Sequence, residues 1–121
     1  MKDLDRINEI LNGLRRGKIQ ISYAAQEFWC LLCEFSEQLS EILARVPPEI
    51  LYQLIRAGLL SADPDMFRLG EENIWFREKV GSVIRSLDRD ELEEVSKAIL
   101  NSGLERSALA SRVFYMHKKL R

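Results

Sequence analysis

Nucleophiles and metal ligands are scarce in this chain, which has one histidine and two cysteines in 121 residues. The Gly-x-Ser-x-Gly elbow, the His-Glu-x-x-His zinc motif, the phosphate-binding glycine loop and the glycine-rich dinucleotide turn are all missing. The common nucleophilic, metallo-hydrolytic and nucleotide-dependent chemistries therefore lack their residues. Excess charge is missing too: 18 basic against 19 acidic side chains leave a formal charge of −1. That removes the simple electrostatic case for a nucleic acid or an anionic membrane as partner. No apolar run approaches the ~18 residues of a spanning helix, and Met1-Lys2-Asp3-Leu4-Asp5 is polar, so neither a membrane span nor a signal peptide is expected. Two thiols without such a signal point to a reducing compartment and a cytoplasmic location.

What is present is the composition of a folded globule. Hydrophobic content of 46% and charged content of 31% exclude intrinsic disorder. A chain of this length buries about two thirds of its extended surface on folding, enough for one core without metal or disulfide support. The expected organisation is one helical domain over residues 1–121. No segment alternates with period two, and no internal repeat or low-complexity tract interrupts the chain.

Helical periodicity runs throughout. Leu4, Ile7, Leu11 and Leu14 form a first stripe, with Asp3 as cap and Gly17 as stop. Ser22 is placed to cap a long second helix reaching Arg45, ahead of Pro47-Pro48. A third helix starts in those prolines, carries Ile50, Leu51, Leu54 and Ile55 on one face, and ends at Gly58. Asp63-Pro64-Asp65 is another cap-plus-proline start, but Gly70 follows closely, so 63–69 is expected to make one or two turns. Glu71 to Leu87 reads as a full helix through Phe76, Val80, Val83 and Leu87. Asp88 with Glu91 has capping-box spacing ahead of Leu92, Val95 and Ile99. Asn101-Ser102-Gly103 makes a corner, and Leu109, Val113, Met116 and Leu120 mark the last helix. The prediction is an all-α, compact bundle of five main helices plus a short turn at 63–69.

The long second helix is the expected hub. At roughly 100° per residue, Ala24, Phe28, Trp29, Leu31, Leu32, Phe35, Leu39 and Leu43 fan over an arc too wide for one neighbour. Opposite them Glu27, Glu34 and Glu41 recur every seven residues, with Glu37 beside them and no basic residue between 22 and 44. Such a ridge is either a solvated face, partly neutralised by a basic helix of the same domain, or a docking surface for a basic partner.

Three other features carry chemical alternatives. Cys30-Leu31-Leu32-Cys33 has redox or zinc half-site spacing, yet it falls in mid-helix with no third cysteine and only His117 as a further soft ligand, so structural thiols are expected. Asp63-Pro64-Asp65 begins like a calcium loop but places Arg68 and Ile74 at the glycine and terminal glutamate positions. Residues 89–121 resemble a helix-turn-helix in layout, with Arg106, Arg112, Lys118, Lys119 and Arg121 on the second helix. The first helix carries Asp90, Glu91, Glu93 and Glu94, which phosphates would repel.

No catalytic constellation, cofactor site or metal site emerges from these residues. The favoured reading is a non-catalytic protein-protein interaction module of the adaptor, inhibitor or immunity type, acting on a partner or as a homodimer. A DNA-binding regulator built on 89–121 is the alternative. Trp75, Phe114 and Tyr115 lie off the core stripes and are the candidate contact aromatics, together with the carboxylates Glu27, Glu34, Glu37 and Glu41. Gly81, costly within a helix, points to a close helix–helix approach, either within the chain or between two copies.

Overall fold

Gly17 and Gly103 adopt left-handed backbone, with φ of +68° and +70°, where a side chain would be strained. Both stand just past a helix and turn the chain back. The computed structural model describes residues 2–120, with side chains from 4 to 120. Among the described residues the regular elements are all helical: α1 (Lys2–Arg15), α2 (Ile21–Glu34), a 3-10 turn (Ser36–Gln38), α3 (Leu39–Ala44), α4 (Pro48–Leu60), α5 (Pro64–Glu72), α6 (Ile74–Ser86), α7 (Arg89–Asn101) and α8 (Ala108–Lys119).

The all-α bundle is as expected, but its subdivision differs from five main helices, and each difference has a local cause. The long second helix breaks at Phe35, whose backbone leaves helical geometry at φ −119°, ψ 35°. An unbroken helix would align Glu34, Glu37 and Glu41 one turn apart, where like charges repel, and Ser36 favours turns. Residues 63–69 are part of a full helix. The Asp63 carboxylate accepts from the backbone N–H groups of Asp65 and Met66 at 2.9 and 3.1 Å, and Pro64 occupies the first turn. The Glu71–Leu87 helix instead begins at Ile74. Asn73 interrupts it and caps α6, its Oδ1 accepting from the Phe76 N–H at 2.9 Å.

Two glycines expected near helix ends lie inside helices. Gly58 is buried in α4, which continues to Leu60, and Gly70 is buried in α5. Each makes room for a neighbour. A Cβ at Gly58 would fall 2.5 Å from Met66 Sδ and 3.0 Å from Trp29 Nε1, and one at Gly70 would fall 2.7 Å from Leu109 Cγ. Of the expected caps, Ser22 lies inside α2 behind the uncapped Gln20. The Asp88–Glu91 capping box forms with both reciprocal bonds. Asp3 lies within α1, and its side chain, like Arg121, is outside the described residues.

Packing places α4, α5 and α6 in the middle. On one side α2 lies against α4 and α5 and is backed by α1; on the other, α8 lies against α5, α6 and α7. The hub role expected of the second helix is thus shared among α2, α4, α5, α6 and α8. Trp29 sits at the centre, fully buried. Its indole N–H donates to the Leu54 carbonyl at 3.1 Å, and its ring packs against Phe28 and Phe76.

Candidate functional site

The acidic ridge does not survive as one stripe. The break at Phe35 leaves Glu34 at the end of α2, Glu37 in the 3-10 turn and Glu41 in α3, all three exposed. Glu27 is neutralised from within the domain. Its Oε1 accepts from Arg6 Nε on α1 at 2.6 Å, and Arg6 also reaches Glu9 at 2.9 Å. These bonds, the one to Glu27 foremost, hold the Arg6 guanidinium well above its ordinary pKa. The other oxygen, Glu27 Oε2, is buried without a hydrogen-bond partner.

Of the two thiols expected to be structural, only Cys33 packs against the core; Cys30 departs from that expectation because it faces solvent. Cys30 is exposed and Cys33 half-buried, its Sγ–H directed at the Asp65 carbonyl 3.5 Å away. Burial first, and then Asp65, push the Cys33 thiol up to about 11 and raise Cys30 in the same direction. Neither thiol therefore has the lowered pKa that marks a reactive cysteine. Among the described residues no three His, Cys, Asp or Glu side chains gather as a metal-binding group, and no helix is long and apolar enough to cross a membrane.

The helix-turn-helix resemblance weakens at its joint. Six residues, 102–107, separate α7 from α8 rather than a three-residue turn. Arg112 is turned toward α6, where Nη2 and Nη1 donate to the Glu78 carboxylate at 2.6 and 3.2 Å. That removes one cation from any groove-facing edge. Arg106 lies in the connection, and Lys118 and Lys119 lie in the last turn of α8.

The groove between α6 and α8 is where apolar floor, exposed aromatic and charge meet. Its construction begins at the start of α8. There the Glu71 carboxylate accepts from the Ala108 N–H, Ser107 caps the helix through the Ala110 N–H at 3.2 Å, and Leu109 sits over Gly70. So anchored, α8 runs beside α6 with Arg112 lying across Gly81. A Cβ at Gly81 would come within 2.8 Å of Arg112 Nη1, and Arg85 Nη1 lies 3.6 Å from the same point. The sequence predicted a close helix–helix approach at Gly81; what comes close is the end of the Arg112 side chain, with a groove beside it. Ile84, buried, and Met116, half-buried, line the groove beside Gly81, while Tyr115 stands on its rim 60% exposed. The groove encloses about 310 Å³. The bond from Arg112, with weaker help from Arg85 and Arg77, holds the Glu78 carboxyl below its ordinary value. The same bond raises Arg112.

The three expected contact aromatics are not brought together. Trp75 is 40% exposed at the start of α6, ten positions before Arg85 and therefore about 15 Å away along the axis. Its ring carries Lys79 Nζ at 5.5 Å, whereas Tyr115 carries Lys119 Nζ at 5.2 Å. Phe114 is half-buried against the core. Arg85 is the groove residue that sequence reasoning missed. Its position one turn after Gly81 was the available signal, since i and i+4 share a helix face. Neither a family model, nor a curated protein, nor a solved structure matches this chain.

Proposed function

We propose that this protein is a non-catalytic interaction module that binds another protein through the face formed by α6 and α8. The observation that supports this reading is the open groove itself: an apolar floor of Gly81, Ile84 and Met116 with the exposed Tyr115 ring beside it. A large amphipathic ring next to an apolar hollow is the arrangement from which interface hot spots are built, with burial of such a ring contributing roughly 2 kcal/mol or more to association. Catalysis has no comparable support. Burial raises the Cys33 thiol rather than lowering it, and the single histidine lies half-buried in the last turn of α8.

Tyr115 is the residue to probe, because truncating Phe114 would also disturb the core. A photo-crosslinking phenylalanine analogue at position 115, activated in the cells that express the protein, should give one recurrent covalent protein adduct. The same analogue at exposed Glu94 on α7 should not give it. Adducts that are identical at both positions, or none at 115, would remove the α6–α8 face from consideration.

A further inference from the structure

The groove carries a charge pattern that the interaction reading does not itself require. Arg85 and Arg112 approach one point above Gly81, their Nη1 atoms 3.6 and 2.8 Å from where a Cβ would stand. Two guanidinium groups held this close repel each other, and one carboxylate, Glu78, is bonded to the pair, through Arg112 alone. Arg85 itself donates only to the Ser82 hydroxyl at 3.3 Å. Both charged residues lining the groove are these arginines. With Lys119 Nζ 5.2 Å from the Tyr115 ring on the rim as well, and Glu78 the carboxylate bonded to Arg112, positive charge is in excess beside the apolar floor.

We infer that the α6–α8 groove receives an acidic segment of a partner protein, in which one Asp or Glu carboxylate sits between Arg85 and Arg112 and a neighbouring aliphatic or aromatic side chain lies on Gly81, Ile84 and Met116. This rests on the interaction reading above and specifies the chemistry of its partner. Arg85, whose guanidinium donates to the Ser82 hydroxyl and to no acid, offers charge-assisted donors that suit a carboxylate. A nucleic-acid backbone would meet the arginines through phosphates but brings no aliphatic side chain for the groove floor. A second copy docked with its two-fold axis through the groove would set Arg85 and Arg112 against their own equivalents, so the charges oppose that isologous arrangement. The apolar floor gives the reason for an amphiphilic segment rather than a free carboxylate. An aliphatic or aromatic side chain is what displaces water from half-buried Met116 and the exposed Tyr115 ring.

Selection of a random twelve-residue phage-displayed library on the wild-type protein tests this. Counter-selection uses Arg85→Glu and Tyr115→Ala, both changes at exposed positions and both checked for unaltered melting. Enriched sequences should place Asp or Glu within four residues of Leu, Ile, Phe or Trp. Synthetic versions should bind at least tenfold more weakly to Arg85→Glu and to Tyr115→Ala, lose the same when their carboxylate becomes an amide, and weaken with salt. Amide resonances of Gly81 and Ser111 should shift on titration. Enriched peptides that depend on Tyr115 but carry no acidic residue would overturn the acidic partner and leave the interaction face standing. Acidic peptides indifferent to both variants, or no enrichment over the double variant, would remove the face as well. A phosphorylated peptide, or a short DNA duplex, bound at Gly81 and Ser111 more tightly than any acidic peptide would overturn the choice of carboxylate.

Discussion

Gly58 and Gly81 are the same residue in the same kind of place, the interior of a helix where another side chain crosses the backbone, yet they serve opposite regions. Over Gly58 lie the Trp29 indole and the Met66 thioether, both fully buried. Over Gly81 lies the end of the half-buried Arg112, with Arg85 beside it, at the bottom of an open groove. In the first region the missing Cβ lets a core close. In the second it lets a charge lie flat across a helix and leaves a hollow beside it. The difference lies in what the crossing group can do when pushed: an indole wedged between Phe28 and Phe76 has nowhere to go, whereas a guanidinium on a flexible stem can swing into solvent.

The largest effect should come from removing the group that Gly58 accommodates. Trp29→Ala deletes the central side chain and leaves the Leu54 carbonyl without its donor, at a cost of about 3–5 kcal/mol. A denaturant titration measures this, and a loss below about 1 kcal/mol would mean that Trp29 is not central to the fold. Next come the glycines themselves. Gly58→Ala gains helix propensity but drives a methyl into Met66 and Trp29, for a net loss of roughly 1–3 kcal/mol. Gly70→Ala should behave alike, because the branched end of Leu109 covers it with Cγ at 2.7 Å and both Cδ atoms within 3.0 Å of the added carbon. Unchanged melting in either variant would show that the neighbouring elements yield, and the contrast with Gly81 would dissolve.

These glycines also mark how far the sequence could be read. Glycine has two uses in a helical protein, ending a helix by left-handed backbone and admitting a neighbour by lacking a side chain, and nothing local in the sequence separates them. Gly17 and Gly103 were legible as stops and are stops. Gly58 and Gly70 also read as helix-end signals and are approaches, because what decides the matter is Trp29 and Leu109, far away in the chain. Gly81 read as an approach because helical periodicity runs unbroken on both sides of it. The all-α class and the Asp88–Glu91 cap were legible for the same reason: they rest on spacings within one segment. The breaks at Phe35 and Asn73 were hidden, since periodic apolar residues continue across both. The groove was legible only in pieces. Tyr115 could be picked out from the last helix alone, but the convergence of Arg85 with Arg112 depends on α6 and α8 lying side by side, which no single helical wheel contains.

The smallest effect on stability should come from Gly81→Ala. The substitution adds helix propensity worth about 1 kcal/mol. Against this stands the displacement of Arg112, whose Nη1 is 2.8 Å from the new carbon. The atom in the way is the far end of a flexible side chain, and its bond to Glu78 is a solvent-screened surface pair of the kind that contributes little. The two contributions oppose each other, so thermal unfolding followed by circular dichroism should move by less than roughly 1 kcal/mol in either direction. Binding should respond differently. The methyl fills part of the groove floor and pushes Arg112 off its seat across α6, so an acidic peptide selected on the wild-type protein should lose at least tenfold in affinity for a variant that melts normally. Arg112→Lys should show a milder form of the same split, because lysine keeps the charge but not the fork. If Gly81→Ala instead destabilises the protein as severely as Gly58→Ala while the surviving folded fraction binds the peptide unchanged, Gly81 belongs with the core glycines, and the space beside Arg112 serves packing rather than recognition.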